Sequence, residues 1–216
     1  MAHDRHDHPP GPGAATPGAY WDSRYGEHDR AMWSGRPNGR LVAEITALGP
    51  GTALDVGCGE GGDAIWLARQ GWTVTAIDVS AVALGRARAA ATKAGVTVDW
   101  VSGDVLAVPL TTRSYDLVSL QYPALPRAAG DDPVRRLVDT VRSGGLLLAV
   151  YHDLDETTAG HLRSQGVDPS DYVGVDDLRR LLGNDFVVER HAVEARTDPP
   201  PGTAHIADVV LRARRR

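Results

Sequence analysis

The sequence predicts an α/β domain: a doubly wound sheet of seven strands, helices on both faces, and an antiparallel final strand. Three observations carry this. Short apolar runs bounded by turn residues alternate with helical stretches, which means parallel strands joined by right-handed crossovers. A cluster of glycines, 57, 59, 61 and 62, falls where the first such run meets the first helix. The last two apolar runs are joined only by the Pro-rich stretch Thr197 to Thr203, with no crossover helix between them, so they pair antiparallel.

Taken in order, residues 1–18 are a His/Asp cluster followed by Pro, Gly and Ala, read as a disordered tail. Pro9, Pro10 and Pro12 deny His3, His6 and His8 a helical scaffold, and no metal site is expected there. Residues 19–216 read as a single domain, of which 19–48 form an N-terminal cap. Trp21, Arg24 and Tyr25 share one face of a helical turn, and Leu41, Val42, Ile45 and Leu48 make an apolar helical stripe that Gly49-Pro50-Gly51 stops. Strands follow over Ala53–Val56, Trp72–Ile77, Val96–Val101, Tyr115–Gln121 and Leu146–Tyr151. Helices are expected from the glycine cluster to Arg69 with Gly71 as its cap, over 81–94 between Ser80 and Gly95, and over 132–142. A helix near 175–182 precedes the closing strands Phe186–Val193 and His205–Arg212.

Composition bounds the function. A chain of 216 residues fits one domain, with hydrophobic residues at 42% and charged residues at 24% in the ordinary globular range. No apolar run is long enough to span a membrane, and the start lacks the apolar stretch of a signal peptide, so a cytoplasmic protein is expected. The single cysteine, Cys58, excludes an internal disulfide and a cysteine-cluster metal site. A net charge of −5 argues against nucleic-acid partners. The oligomeric state is left open.

Gly57, Gly59 and Gly62 satisfy the dinucleotide fingerprint GxGxxG, and Asp78 lies 21 residues beyond Gly57, where a ribose-binding acid belongs. That pattern alone does not choose the ligand. A dinucleotide presents a pyrophosphate to such a loop, yet Asp55 and Glu60 flank it with carboxylates that would repel an anion. They suit a ligand cationic at this end. S-adenosylmethionine, with an ammonium, a sulfonium and no phosphate, fits. Asp55 after strand one, Asp78 after strand two and Asp104 after strand three would form a row along the carboxyl edge of the sheet, where open α/β sheets bind ligands.

The series ALDVGCGEGGDAIWLA, VTAIDVS and SGDV resembles the motifs of class I S-adenosylmethionine-dependent methyltransferases, a Rossmann-like fold, and the antiparallel finish matches that family. The segment YWDSRYGEHDRAMWSGRPN resembles the cap of the branch that holds thiopurine, tellurite-resistance and thiol or halide methyltransferases. The resemblance implies that Asp55, Gly57, Cys58, Gly59 and Gly61 hold the methionine end and Asp78 the ribose. It implies Val79 against adenine, Asp104 and Val105 at the adenine edge, Gln121 beside the methionyl moiety, and Trp21 on the cofactor. Trp33 is implied on the acceptor, a small molecule. Two departures stand out: Ser143-Gly144-Gly145 replaces Pro-Gly-Gly before strand five, and Gln121-Tyr122-Pro123 stands where similar bacterial sequences often carry a histidine.

Beside these expectations stand plainer ones. Cys58 reads as a small filler of the glycine loop, because the sequence arranges no base to activate it. Trp66 and Trp72 are assigned to the core, and Arg212, Arg214, Arg215 and Arg216 to a solvated tail. Tyr122 and His152 end strands four and five at the ligand edge, lining the acceptor, and His152 is the candidate general base if one is used. A binding protein without catalysis, or a nicotinamide-dependent oxidoreductase on a similar sheet, are the alternatives.

Overall fold

The computed structural model describes residues 16–28, 31–164, 167–197, 199 and 206–216. The His cluster lies outside the described residues. Helix α1 (Pro17–Gly26) starts two residues earlier than the expected boundary, because Thr16 caps it by accepting from the Ala19 N–H and Pro17 opens its first turn. Helix α2 (Gly39–Ile45) follows. The alternation then runs β1 (Thr52–Val56), α3 (Gly62–Arg69), β2 (Thr73–Asp78), α4 (Ala81–Ala94), β3 (Asp99–Ser102), β4 (Tyr115–Gln121), α5 (Asp131–Val138) and β5 (Val141–His152). After α6 (Glu156–Ser164) and α7 (Val175–Leu181), β6 (Phe186–Ala195) and β7 (Ala207–Arg215) close the chain.

The seven strands lie in the order β3-β2-β1-β4-β5-β7-β6, with β7 antiparallel to both its neighbours. The chain winds outward from β1 to β3 and returns to place β4 beside β1, so the crevice at their carboxyl ends is the switch point of the sheet. Both faces of the central strands are buried. Leu54, Val56, Val118, Leu120, Leu147 and Ala149 pack on one side under α5 and α7. Ala53, Leu117, Leu146, Leu148 and Val150 pack on the other under α2 and α3. The two-residue period of the strands carries this alternation to their ends. It puts Asp55, Asp78, Ser119, Gln121, His152 and Asp208 on the α2–α3 face, the face the cap covers.

Three expectations need correction. The helix expected over 132–142 ends at Val138, and the strand expected from Leu146 begins at Val141. Val134, Leu137, Val138 and Val141 keep a helical period, but Val141 pairs with Tyr115, and the ladder shifts register beyond it. Ser143-Gly144-Gly145 is thus an irregularity inside β5: Gly144 sits at φ +77°, and a Cβ on Gly145 would lie 2.8 Å from the Tyr115 carbonyl. Strand β3 starts at Asp99 instead of Val96, whose N–H closes the end of α4 on the Ala91 carbonyl beside Gly95 at φ +69°. The C-terminal arginines are no solvated tail. Arg212 and Arg214 each bind Glu189 on the neighbouring strand, and Arg215 is 4% exposed between Asp139 and Asp185 with its guanidinium over Phe186.

Candidate active site

The glycine loop is tightly self-bonded. The N–H groups of Gly57 and Cys58 donate to the Ile77 carbonyl, that of Gly61 to Cys58, and that of Gly59 to Asp78 Oδ2 at 2.8 Å. Amides spent in this way are not offered to a pyrophosphate. Gly61 is glycine for packing, since a Cβ there would lie 2.7 Å from the Trp100 ring. At Gly57, with φ +68°, nothing lies within 4 Å of where a Cβ would be. That is open space at the switch point.

Two unsatisfied polar atoms accompany that space. Asp55, the fourth residue of β1 and thus in the strand, not after it, is 2% exposed, and its Oδ2 has no hydrogen-bond partner. Burial pushes its carboxyl well above the usual carboxylate range, with the charges of Asp63 and Asp78 adding to the effect. Gln121 ends β4 with its Nε2 donating to Ser119 Oγ at 3.1 Å and its buried Oε1 without a partner. A buried carboxyl oxygen, a buried amide oxygen and a hollow left by a missing side chain are what a compact cationic group would complete. The donor set fits the amino-acid end of S-adenosylmethionine.

Asp78 ends β2 and has work of its own. Its two oxygens accept from the Gly59 and Ser80 N–H groups at 2.8 Å each, so it ties the glycine loop to the start of α4. Burial raises its pKa, and those two hydrogen bonds pull the other way. Asp104, past β3, accepts from the Leu106 N–H at 2.9 Å. Val79 is half-buried where the start of α1 crosses its carbonyl. The Val105 side chain packs in the core, which leaves only its backbone facing the edge. Burial drives the Cys58 thiol well above its ordinary pKa, and the neighbouring Asp55 and Asp78 charges add to this, so it stays protonated. That agrees with its reading as a filler. Trp66 and Trp72 pack in the core as expected.

Glu60 departs from the expectation that it flanks the ligand. Its carboxylate accepts from the Met32 and Trp33 N–H groups at 3.1 and 3.0 Å and pairs with Arg86 at 2.8 Å. It fastens the cap. Asp63 does the same, accepting from the Asn38 backbone and side chain at 2.6 and 2.7 Å. Asp22 on α1 accepts from Ser80 Oγ at 2.7 Å and from the Val82 N–H at 3.0 Å, reinforcing the start of α4. So fastened, the cap brings Tyr25 over the loop: a Cβ on Gly59 would lie 2.8 Å from its hydroxyl. Trp33, 47% exposed, donates its indole N–H to that hydroxyl at 3.1 Å, and Trp21 leans on the Tyr25 ring at 6.1 Å. Sequence reasoning missed Tyr25 as part of the site. The signal was its place on the same helical face as Trp21.

On the far side of Gln121, Tyr122 and His152 stack at 4.2 Å. The Tyr122 hydroxyl donates to Asp208 Oδ2 at 3.0 Å. Asp208 was not foreseen. A cavity of about 210 Å³ lies under the 105–112 loop, lined by Val105, Leu106, Val108, Leu110, Pro133 and Arg136. Among the described residues, no helix is long and apolar enough to cross a membrane.

Comparison with known proteins agrees with this geometry. Residues 53–145 match the family model described as a methyltransferase domain. The malonyl-[acyl-carrier protein] O-methyltransferase of Enterobacter lignolyticus (strain SCF1) is 33% identical over 107 residues, which is 50% of this chain and 41% of that protein. The chain thus spans less than half of that relative. Among solved structures, one described by the conversion of a disulfide bond into a thioacetal group during echinomycin biosynthesis superimposes with a TM-score of 0.71 at 24% identity, covering 93% of this chain and 92% of that one. The N-methyltransferase NodS from Bradyrhizobium japonicum WM9, in complex with S-adenosyl-L-homocysteine, gives a TM-score of 0.67 at 18% identity over 91% and 97% of the two chains. Residues 53–145 thus resemble a methyltransferase domain, and the chain shares the Rossmann-like fold of these solved structures.

Proposed function

We propose that this protein transfers a methyl group from S-adenosylmethionine to a small-molecule acceptor. One observation carries the reading: the buried Asp55 oxygen without a partner, beside the hollow at Gly57 and the unpartnered Gln121 oxygen. In the proposal Asp55, Gln121 and the loop at Gly57, Cys58, Gly59 and Gly61 receive the amino-acid end. Asp78 accepts from the ribose hydroxyls with the lone pairs its two backbone bonds leave free. Val79, Asp104 and the Val105 backbone border adenine, and Trp21 closes over it.

Bound, the cofactor supplies an activated methyl group on a sulfonium. The chain's task is then to align the acceptor with it and exclude water, for which effective molarity is the main source of rate. Tyr25 and Trp33 roof the loop, and Tyr122 and His152 wall the acceptor side. The 19–48 cap and the 153–174 connection, which holds α6, are short segments suited to enclosing a compact acceptor, and the net charge of −5 does not draw in RNA. The nicotinamide reading is set aside because the amides of Gly57, Cys58, Gly59 and Gly61 are already bonded.

Isothermal calorimetry tests the cofactor: S-adenosyl-L-homocysteine should bind and NADH should not. Tight NADH binding without S-adenosyl-L-homocysteine binding would refute it. Robust methylation of tRNA or a protein, with no turnover of thiols, phenols or amines, would refute the small-molecule acceptor.

A further inference from the structure

The carboxyl edge of the sheet changes sign along its length. Asp55 and Asp78 stand at the β1 and β2 end. At the other end, β5 and β6 are both antiparallel to β7, so β6 leaves the sheet at the same edge, and Arg196 is the first residue past it. Its N–H donates to the Ile206 carbonyl at 2.8 Å, which makes its backbone one more rung of the β6–β7 ladder. Glu194 pairs with Asp208, and Arg196, two residues on, falls on the same face, the one that the cap covers. The Arg196 guanidinium lies over the Tyr122 ring, 5.1 Å from its centre.

The arginines of β6 and β7 are all paired with acids: Arg190 with Glu44 and Glu194, Arg212 and Arg214 with Glu189, Arg215 with Asp139 and Asp185. Arg196 is the exception. Among the described residues no carboxylate pairs with it, and its side chain is described only against Tyr122. Glu194, two residues before it, is held by Arg40 at 2.6 Å. Asp208 is wholly buried and accepts from the Tyr122 hydroxyl at 3.0 Å. Burial and the Asp208 charge raise the pKa of that phenol, and Arg196 pulls the other way. Tyr122 itself takes φ +52°, a conformation that surrounding structure must impose on a residue with a Cβ. A half-buried guanidinium parked on an aromatic ring, with no acid to neutralise it, offers its planar fork of donors to an anion.

That anion is not the cofactor's. Strands lie ~4.8 Å apart, and β6 is four places from β1 in the sheet, so Arg196 is rooted roughly 19 Å from Asp55 and the hollow at Gly57. Tyr122, on the acceptor wall, is what it meets instead. One guanidinium near Asp208 and Glu194 suits a single negative charge; a phosphate monoester, with nearly two, would be repelled by those acids.

We infer that Arg196 selects the acceptor, a small molecule that carries a carboxylate at the end remote from the atom to be methylated. This rests on the methyltransferase reading above and narrows it to a substrate class. The carboxylate lies in the fork of the guanidinium and anchors the molecule beside Tyr122, leaving the opposite end directed along the crevice towards the cofactor.

Calorimetry with matched acceptors tests this, using thiols, phenols and amines that each come as a carboxylate, its methyl ester and a phosphate-bearing analogue, such as 4-hydroxybenzoate, methyl 4-hydroxybenzoate and 4-hydroxyphenyl phosphate. Protein loaded with S-adenosyl-L-homocysteine should bind at least one carboxylate roughly ten- to hundredfold more tightly than its ester. Arg196→Gln should bring that ratio close to one, and Arg196→Lys should restore part of it. In turnover the preference should reside in KM and leave kcat similar. S-adenosyl-L-homocysteine should bind Arg196→Gln within about twofold of wild type. A panel in which no carboxylate gains over its ester, a phosphate analogue that binds best, or a ratio that survives Arg196→Gln would each overturn the inference. Failure of the wild type to bind S-adenosyl-L-homocysteine would sink the methyltransferase reading instead, and the carboxylate ratio, measured with and without that ligand, stands or falls separately.

Discussion

Replacing Asp55 with Asn separates the fold from the site, because the same carboxyl is a burden to one and an asset to the other. Asn keeps the size and the oxygen that accepts from the Ala64 N–H, and puts an NH2 where Oδ2 has no partner. That NH2 faces the acidic field of Asp63 and Asp78. A carboxyl whose folded pKa is raised stabilises the fold below its unfolded pKa of about 4, and that contribution is lost as pH rises through the folded value. The variant escapes the loss. Its ligand-free melting temperature should therefore exceed wild type at pH 8, by about 2–4 °C for each kcal/mol relieved in a chain of this size, and converge with wild type near pH 4. Binding should move the opposite way. A hydrogen bond to a charged group is worth about 1.5–3 kcal/mol, so S-adenosyl-L-homocysteine should bind roughly ten- to hundredfold more weakly. In the wild type, affinity should fall on acidification at a pH above the ordinary carboxylate range. Melting curves from pH 4 to 9 and calorimetry at pH 8 read both effects. Unchanged affinity, or a variant less stable than wild type at pH 8, would refute the reasoning.

Further outcomes follow from other residues. Asp78→Ala should weaken S-adenosyl-L-homocysteine about ten- to hundredfold and also lower the melting temperature, since it frees the Gly59 and Ser80 amides; unchanged affinity in calorimetry would leave Asp78 a loop tie only. Trp33→Ala should impair turnover of a cognate acceptor more than it weakens S-adenosyl-L-homocysteine, and equal losses in kinetics and calorimetry would place Trp33 on the cofactor alone. Arg215→Met should cost about 1–2 kcal/mol, or roughly 2–8 °C in a thermal melt, because its partners Asp139 and Asp185 are half-exposed and rehydrate; no change would return the C-terminus to a passive tail.

The sheet and the placement of Asp55 and Gly57 at its switch point were legible because they rest on local signals. Strand β4 falls over Tyr115–Gln121 and α4 over Ala81–Ala94 as read, fixed by apolar runs, Ser80 and Gly95. Asp55 and Gly57 could be placed at the crevice because a strand–glycine–helix junction has few geometries. What escaped depends on contacts distant in sequence. Glu60 looked like a ligand-facing acid until Met32, Trp33 and Arg86 were seen to claim it. Asp208 gave no sign, for only the β5–β7 register brings it to His152. The terminal arginines needed Glu189, on the neighbouring strand, to become structural. The end of α5 was misplaced because one apolar spacing serves both a helix and the start of a bulged strand.

The cap is pinned at both ends to different halves of the sheet. Its first part is held by Asp22, Glu60 and Asp63 to the loop and helices that follow β1 and β2. Helix α2 is held by Arg40 to Glu194 on β6 and by Glu44 to Arg190 and Arg212 on β6 and β7. The segment is a strap laid across the crevice between β1 and β4. Lifting the strap from that face would make a carboxylate let go of a backbone amide or a guanidinium, a polar event that dissolved ions assist. Added salt should hasten the departure of product, and so should a change as remote as Glu44→Gln, at the outer end of the strap.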